Sequence, residues 1–192
     1  MKIKELFIII LIISCFIVGC KNKTNEMQTK NNTTSWKATF DDKLTEFGHR
    51  NWILIVDKAF PSQTAAGIIT INTNEELLSV LKYTMKQIDN STHVKPIVYT
   101  DKELNFITKD QVPEIENFRC SLSEVIGQLT PQVLLHDSVF VKIDKATKLF
   151  NVMILKTSQT IPYSSVFIQL DCKYWSIDKE IQLRKNISTG LK

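Results

Sequence analysis

Gly48-His49-Arg50-Asn51-Trp52-Ile53-Leu54-Ile55-Val56-Asp57-Lys58-Ala59-Phe60-Pro61 is the stretch on which the fold turns. Trp52 to Val56 is apolar without interruption. A strand with one wet face alternates polar and apolar residues. A continuous run predicts a strand covered on both faces, as in a parallel sheet wrapped by helices. Asp57 closes the run, and Lys58 to Pro61 follows as a turn carrying an aromatic ring. On the N-terminal side, Trp36, Phe40, Leu44 and Phe47 recur at helical spacing. Gly48 is suited to end that helix.

Further along, Ile68 to Ile71 is a second, β-branched strand. Thr73-Asn74-Glu75-Glu76 has the pattern of a capping box, with Thr73 as the cap. Leu77, Leu78, Leu81, Met85 and Ile88 then keep helical spacing. Val94 to Tyr99 reads as a strand, and Pro96 places it at an edge or at a strand start. Pro113 opens a helix bearing Ile115, Phe118, Leu122, Val125 and Ile126 on one side. Val133 to Leu135 is a brief strand. Asp137 to Thr147 is ambiguous, with a short helix as one reading. Leu149 to Leu155 and Val166 to Leu170 are strand-like, and Ser176 caps a last helix with Ile181, Leu183 and Ile187. Helices alternate with strands, so the predicted class is α/β: a single domain with a mostly parallel sheet flanked by helices.

The chain has 192 residues, 43% hydrophobic and 23% charged, with five glycines and five prolines. That composition excludes a wholly disordered chain, a collagen-like repeat and a disulfide scaffold. A net charge of +4 gives no reason to expect nucleic acid as a partner. Lys2 and Lys4 precede Leu6 to Val18, whose only polar member is Ser14. As a helix this stretch spans ~20 Å, short of the ~30 Å hydrocarbon core. Residues 1–19 therefore read as a signal peptide. Ile17-Val18-Gly19-Cys20 resembles a bacterial lipobox, which implies a lipid on Cys20 and anchoring to a membrane of the cell envelope. Residues 20–35 are rich in Asn, Thr and Lys and read as a flexible tether. The folded domain is expected over residues 36–192. Of the remaining cysteines, Cys120 and Cys172 are either one disulfide or two free thiols.

No dinucleotide, phosphate-loop, nucleophile-elbow or zinc-protease motif is present. No Cys/His cluster has zinc spacing, so no metal is expected. The histidines are His49, His93 and His136. His49 lies between a helix end and a buried strand, where a loop has rigid support. Asp57 lies at the carboxyl end of that strand, where open parallel sheets bind ligands; a turn or cap role is the alternative. His136 follows Val133-Leu134-Leu135 at another strand end and otherwise reads as a surface turn. Tyr163-Ser164-Ser165 leads into the strand that starts near Val166, and the phenol either meets a ligand or covers the core.

Four blocks in order then carry a resemblance. They are GHRN with His49, the D-x-x-F-P of Asp57 to Pro61, His136 with its acidic neighbour, and P-Y-x-S before the last strand. From Trp36 to Cys172 the chain resembles the D-ribose pyranase and L-fucose mutarotase family, the RbsD/FucU fold. The resemblance makes His49 the general acid and Asp57, His136, Tyr163 and Ser165 sugar-binding residues. It implies a monosaccharide ligand, no cofactor, a homo-oligomer and interconversion of cyclic sugar forms. This chain departs at Asn51, where the family commonly has Asp, at Ser165, where it often has Asn, and in an extension from about residue 173. Opening and reclosing a hemiacetal needs one proton delivered and another removed, which histidine does near neutral pH. A monosaccharide-binding lipoprotein without turnover is the alternative.

Cys20→Ser should release soluble protein or leave an uncleaved precursor, read by membrane fractionation and intact mass. Normal processing and membrane retention of the variant would contradict a lipid at Cys20.

Overall fold

The computed structural model describes residues 35–190. The expected signal peptide, Cys20 and the tether as far as residue 34 lie outside them. Among the described residues there are six strands: β1 Trp52–Val56, β2 Ile68–Asn72, β3 Val94–Asp101, β4 Gln132–Leu134, β5 Val152–Lys156 and β6 Val166–Cys172. They join in the order β2-β5-β1-β6-β3-β4. The described helices are α1 Trp36–Glu46, α2 Leu77–Asn90, α3 Ile115–Ile126, α4 His136–Ala146 and α5 Ile177–Thr189. The pairs β1–β5, β2–β5 and β3–β4 are parallel, whereas β6 is antiparallel to both of its neighbours, β1 and β3. The sheet is therefore mostly parallel, with β6 alone reversed.

The run Trp52 to Val56 is buried at every position. Its alternate side chains enter two separate cores. Ile53 and Ile55 pack with Phe40, Phe47, Leu81, Ile88, Ile115 and Phe118 from α1, α2 and α3 and the loop after α1. Trp52, Leu54 and Val56 pack with Val139, Ile143 and Ala146 of α4. Complete burial of an aliphatic or Phe side chain contributes roughly 1.5–3 kcal/mol, so an apolar residue is favoured at each of the five positions. One face thus carries three helices and the other chiefly α4. That thinner layer leaves the start of α4 open at the carboxyl edge of the parallel strands.

Several local expectations are revised. Thr73 does not cap α2: its hydroxyl donates to the Lys156 carbonyl at 3.0 Å and accepts the Glu75 N–H at 3.3 Å. The helix starts later, at Leu77, with Glu76 in the cap position and making no side-chain cap bond. Thr73 instead ties the end of β2 to β5, and Asn74 turns the chain with φ 53°. The ambiguous stretch after Leu135 is the helix α4, beginning one residue earlier than Asp137. Pro113 lies two residues before the first residue of α3, with Glu114 as the cap residue. Pro96 pairs with Leu170 across β6, while β4 covers only Tyr99 to Asp101 on the other side. The missing N–H of Pro96 therefore falls where β3 is an edge. Leu149 lies outside β5 and is exposed. Ser176 caps α5 by accepting the Lys179 N–H, yet no α5 residue is buried. Cys120 and Cys172 are free thiols. No described helix is long and apolar enough to cross a membrane.

Gly67 opens β2 with φ 84°, and a Cβ there would come within 2.8 Å of Asn151 Oδ1. Gly67→Ala should cost about 1–2 kcal/mol for the left-handed backbone, plus whatever the displacement of Asn151 adds. Urea unfolding at neutral pH measures it, and an unchanged midpoint would contradict the close approach.

Candidate functional site

Because β6 runs against the other strands, its first residues lie at the carboxyl edge of β1. Asp57 follows β1 and Ser165 precedes β6, and the two meet there. The Ser165 hydroxyl donates to Asp57 Oδ2 at 3.2 Å and accepts the Asp57 N–H at 3.3 Å. Asp57 Oδ1 accepts the Ala59 N–H at 2.8 Å, so Asp57 both shapes its turn and stays half-exposed. Lys156 Nζ donates to the Phe60 carbonyl at 2.8 Å and fixes the same loop. Ser165 is itself buried and committed to Asp57.

His136 arrives from the other side. β3 ends at Asp101, which is paired in register with Leu134 of β4. One residue after β4 the chain turns into α4 with His136 as its first residue. The His136 N–H donates to both Glu103 carboxylate oxygens at 3.1 Å. That places a negative charge at the start of the helix, where the macrodipole favours one. The His136 ring turns back so that Nδ1 lies 2.8 Å from Asp101 Oδ2. Phe140 and Tyr163 wall the imidazole at centroid distances of 4.7 and 5.3 Å. Tyr163 holds a left-handed φ of 57°, uncommon for a residue with a bulky side chain. Asp57, Phe60, Pro61, His136, Phe140 and Tyr163 line a cleft of about 330 Å³. That is within the size range of small-ligand sites.

Asp101 is completely buried, and its Oδ1 has no hydrogen-bond partner among the described residues. Burial pushes its carboxyl up to about 6 from an ordinary 3.8, against the hydrogen bond and charge of His136, while Glu103 and Asp57 add repulsion. The Asp101 carboxylate takes up Nδ1 of His136 and leaves Nε2 as the nitrogen open to a ligand. Nε2 has no hydrogen-bond partner among the described residues. This arrangement can accept a proton from a ligand hydroxyl and return one, with Asp57 placed to accept another hydroxyl.

His49 is not in this cleft. It sits at the opposite end of β1, beyond a strand that spans ~16 Å at ~3.3 Å per residue. Its Nδ1 lies 3.2 Å from Asp171 Oδ1, and Arg50 Nε donates to its Nε2 at 3.0 Å. Asp171, near the far end of β6, thus places a carboxylate beside His49. Burial raises the Asp171 carboxyl, but the Cys172 backbone N–H, Lys95 and His49 outweigh it and hold it below the usual range. Asn51 accepts the Gly48 N–H at 2.8 Å and donates to the Asn151 carbonyl at 3.2 Å, a structural role. His93 Nε2 lies 3.0 Å from the Phe47 carbonyl, which fixes the end of α1. Sequence reasoning missed Asp101, Glu103, Phe140 and Asp171. Asp101 ends a parallel strand as Asp57 does, and the same rule would have found it had β3 been carried past Tyr99. Asp171 gave no signal, being 122 positions from His49. No group of three or more His, Cys, Asp or Glu residues suited to a metal occurs among the described residues.

Comparison with solved structures gives several matches, among them these three. Bacillus subtilis RbsD complexed with D-ribose is 18% identical, with 69% of this chain and 90% of that chain covered and a TM-score of 0.49. The fucose mutarotase of Streptococcus pneumoniae in complex with L-fucose is 17% identical, with 73% and 96% covered and a TM-score of 0.49. FucU from Bifidobacterium longum is 15% identical, with 68% and 91% covered and a TM-score of 0.48. These neighbours are RbsD and FucU proteins. No family model and no curated protein matches the sequence.

The raised Asp101 carboxyl has a stability consequence. A group that binds its proton more tightly folded than unfolded favours the native state most at low pH, and that advantage is lost as pH rises from about 4 to about 6. Asp101→Asn removes the titration. Relative to the wild type it should gain on the order of 3 kcal/mol between pH 4 and pH 7, measured by urea unfolding at both pH values. An equal difference between the two proteins at both pH values would contradict the assignment.

Proposed function

We propose that the chain binds a monosaccharide in the cleft at the carboxyl edge of the sheet and interconverts its cyclic forms by ring opening. The observation that carries this reading is His136, anchored by a buried carboxylate, facing Asp57 between aromatic walls. A sugar has apolar C–H faces and a rim of hydroxyls. Phe140 and Tyr163 suit the faces, and Asp57 and the free Nε2 suit the rim. In the proposed reaction His136 Nε2 takes the proton of the anomeric hydroxyl as the bond from the anomeric carbon to the ring oxygen breaks. That oxygen must gain a proton at the same time, which requires a second donor. Reclosure reverses both transfers on either face of the aldehyde, so no metal or organic cofactor enters the step.

His49 is the proposed second donor, brought by another copy of the chain, with Arg50 moved off its Nε2 and that nitrogen protonated. Its place at the opposite end of β1 means that a second copy must deliver it, through a head-to-tail contact that closes into a ring or through a reciprocal two-fold contact. The same reading includes a lipid on Cys20 and a place at the cell envelope, supported by the lipobox-like sequence. Binding without turnover is the second reading. It is favoured by Ser165, whose hydroxyl is taken up by Asp57.

Saturation-transfer NMR over a panel of aldoses, with parallel calorimetric titration, tests the proposal. His136→Ala and His49→Ala should each slow anomeric exchange by about 10²-fold or more in protein whose fold is verified by circular dichroism. Mixed oligomers of His49→Ala and Asp57→Ala should recover part of the rate. Wild-type exchange in His136→Ala would remove the mechanism, and sugar binding without exchange in the wild type would establish the second reading.

A further inference from the structure

Asp101 is costly where it stands. It is wholly buried at the end of a strand held between β6 and β4, with Oδ1 unpaired among the described residues. A buried carboxylate kept only for stability does worse than an apolar residue of similar volume. Its one side-chain hydrogen bond goes to His136 Nδ1 at 2.8 Å. We propose that Asp101 is a positioning residue, which fixes the tautomer and direction of the His136 ring so that Nε2 faces the cleft. This rests on the reading of the cleft as a sugar site.

Three contacts define the ring completely. The β3–β4 register fixes Asp101 relative to Leu134, two residues before His136. Glu103 takes the His136 backbone N–H and sets where the residue begins the helix. Phe140 and Tyr163 then limit rotation about the side-chain bonds. With position and rotation set, the remaining freedom is which nitrogen carries the proton, and the Asp101 carboxylate decides it. The other charged groups bearing on this pair are Asp57 and Glu103, both acidic. Neither lies at Nδ1, so neither substitutes for Asp101.

The test uses full-length protein with ¹⁵N-labelled histidine, whose three imidazoles are assigned by single His→Gln variants. Long-range ¹H–¹⁵N correlation of neutral His136 should show one tautomer, protonated at Nδ1. In Asp101→Leu the signals should move to a mixture of both tautomers. Anomeric exchange should fall roughly 10- to 100-fold, the loss seen when the carboxylate that orients a metal-bound imidazole is removed. Unfolding should occur at an equal or higher temperature, which a purely structural Asp101 would not give. If Asp101→Leu does not fold, Asp101→Ala is read by the same spectra. An unchanged tautomer, or wild-type exchange in a folded variant, would overturn the proposal. Absence of exchange in the wild type would end the turnover reading alone, because the tautomer still reports whether Asp101 positions the ring.

Discussion

The reversed strand β6, hydrogen-bonded between β1 and β3, is the constraint on which both ends of the molecule depend. Its first turn delivers Tyr163 and Ser165 to the edge where β1 releases Asp57 and β3 releases Asp101. Its last turn delivers Asp171 to His49 at the other edge. Were β6 parallel to its neighbours, Ser165 would lie beside His49, and Asp57 would lose the hydroxyl that holds Oδ2. One strand direction thus decides which of the chemically interesting side chains share a space.

The cleft is also the place where local stability and geometry conflict. Asp101 is ionised only against the pull of burial, Tyr163 sits at φ 57°, and three carboxylates gather about one imidazole. The first two do not help the fold, and the third brings repulsion even though Glu103 and Asp57 each hold a local turn. They are tolerated because the sheet beneath them is covered on both faces and anchored by residues such as Ile53, Leu54 and Phe167, which are almost wholly buried. The His49 end has a different character. There the ring is half-exposed, and its charges are balanced among Asp171, Arg50 and Lys95.

Much of the fold was legible in the sequence because its periods are unambiguous. Trp36, Phe40 and Leu44 share one face of a helix, with Phe47 joining the same core from just past its end, and an unbroken WILIV needs cover on both sides. The separation of His49 from Asp57 follows from the length of that same run. The direction of β6 was not legible, since VFIQL reads alike either way. The cap of α2 was misplaced because Thr73 had a stronger use, bonding the Lys156 carbonyl across the sheet. The four residues Asp57, His136, Tyr163 and Ser165 come together as a group. Asp101 escaped notice because the strand reads as ending at Tyr99, two residues short of the strand-end carboxylate that meets a histidine 35 positions on.

The central claim is that the Asp101–His136 pair and Asp57 form the two polar sides of one sugar site. A crystal structure of the protein with a bound aldose tests this most directly. The account predicts the sugar against Phe140 and Tyr163, with its anomeric hydroxyl within hydrogen-bond distance of His136 Nε2 and another hydroxyl on Asp57. A sugar seated elsewhere, or in the cleft with Nε2 untouched, would contradict it.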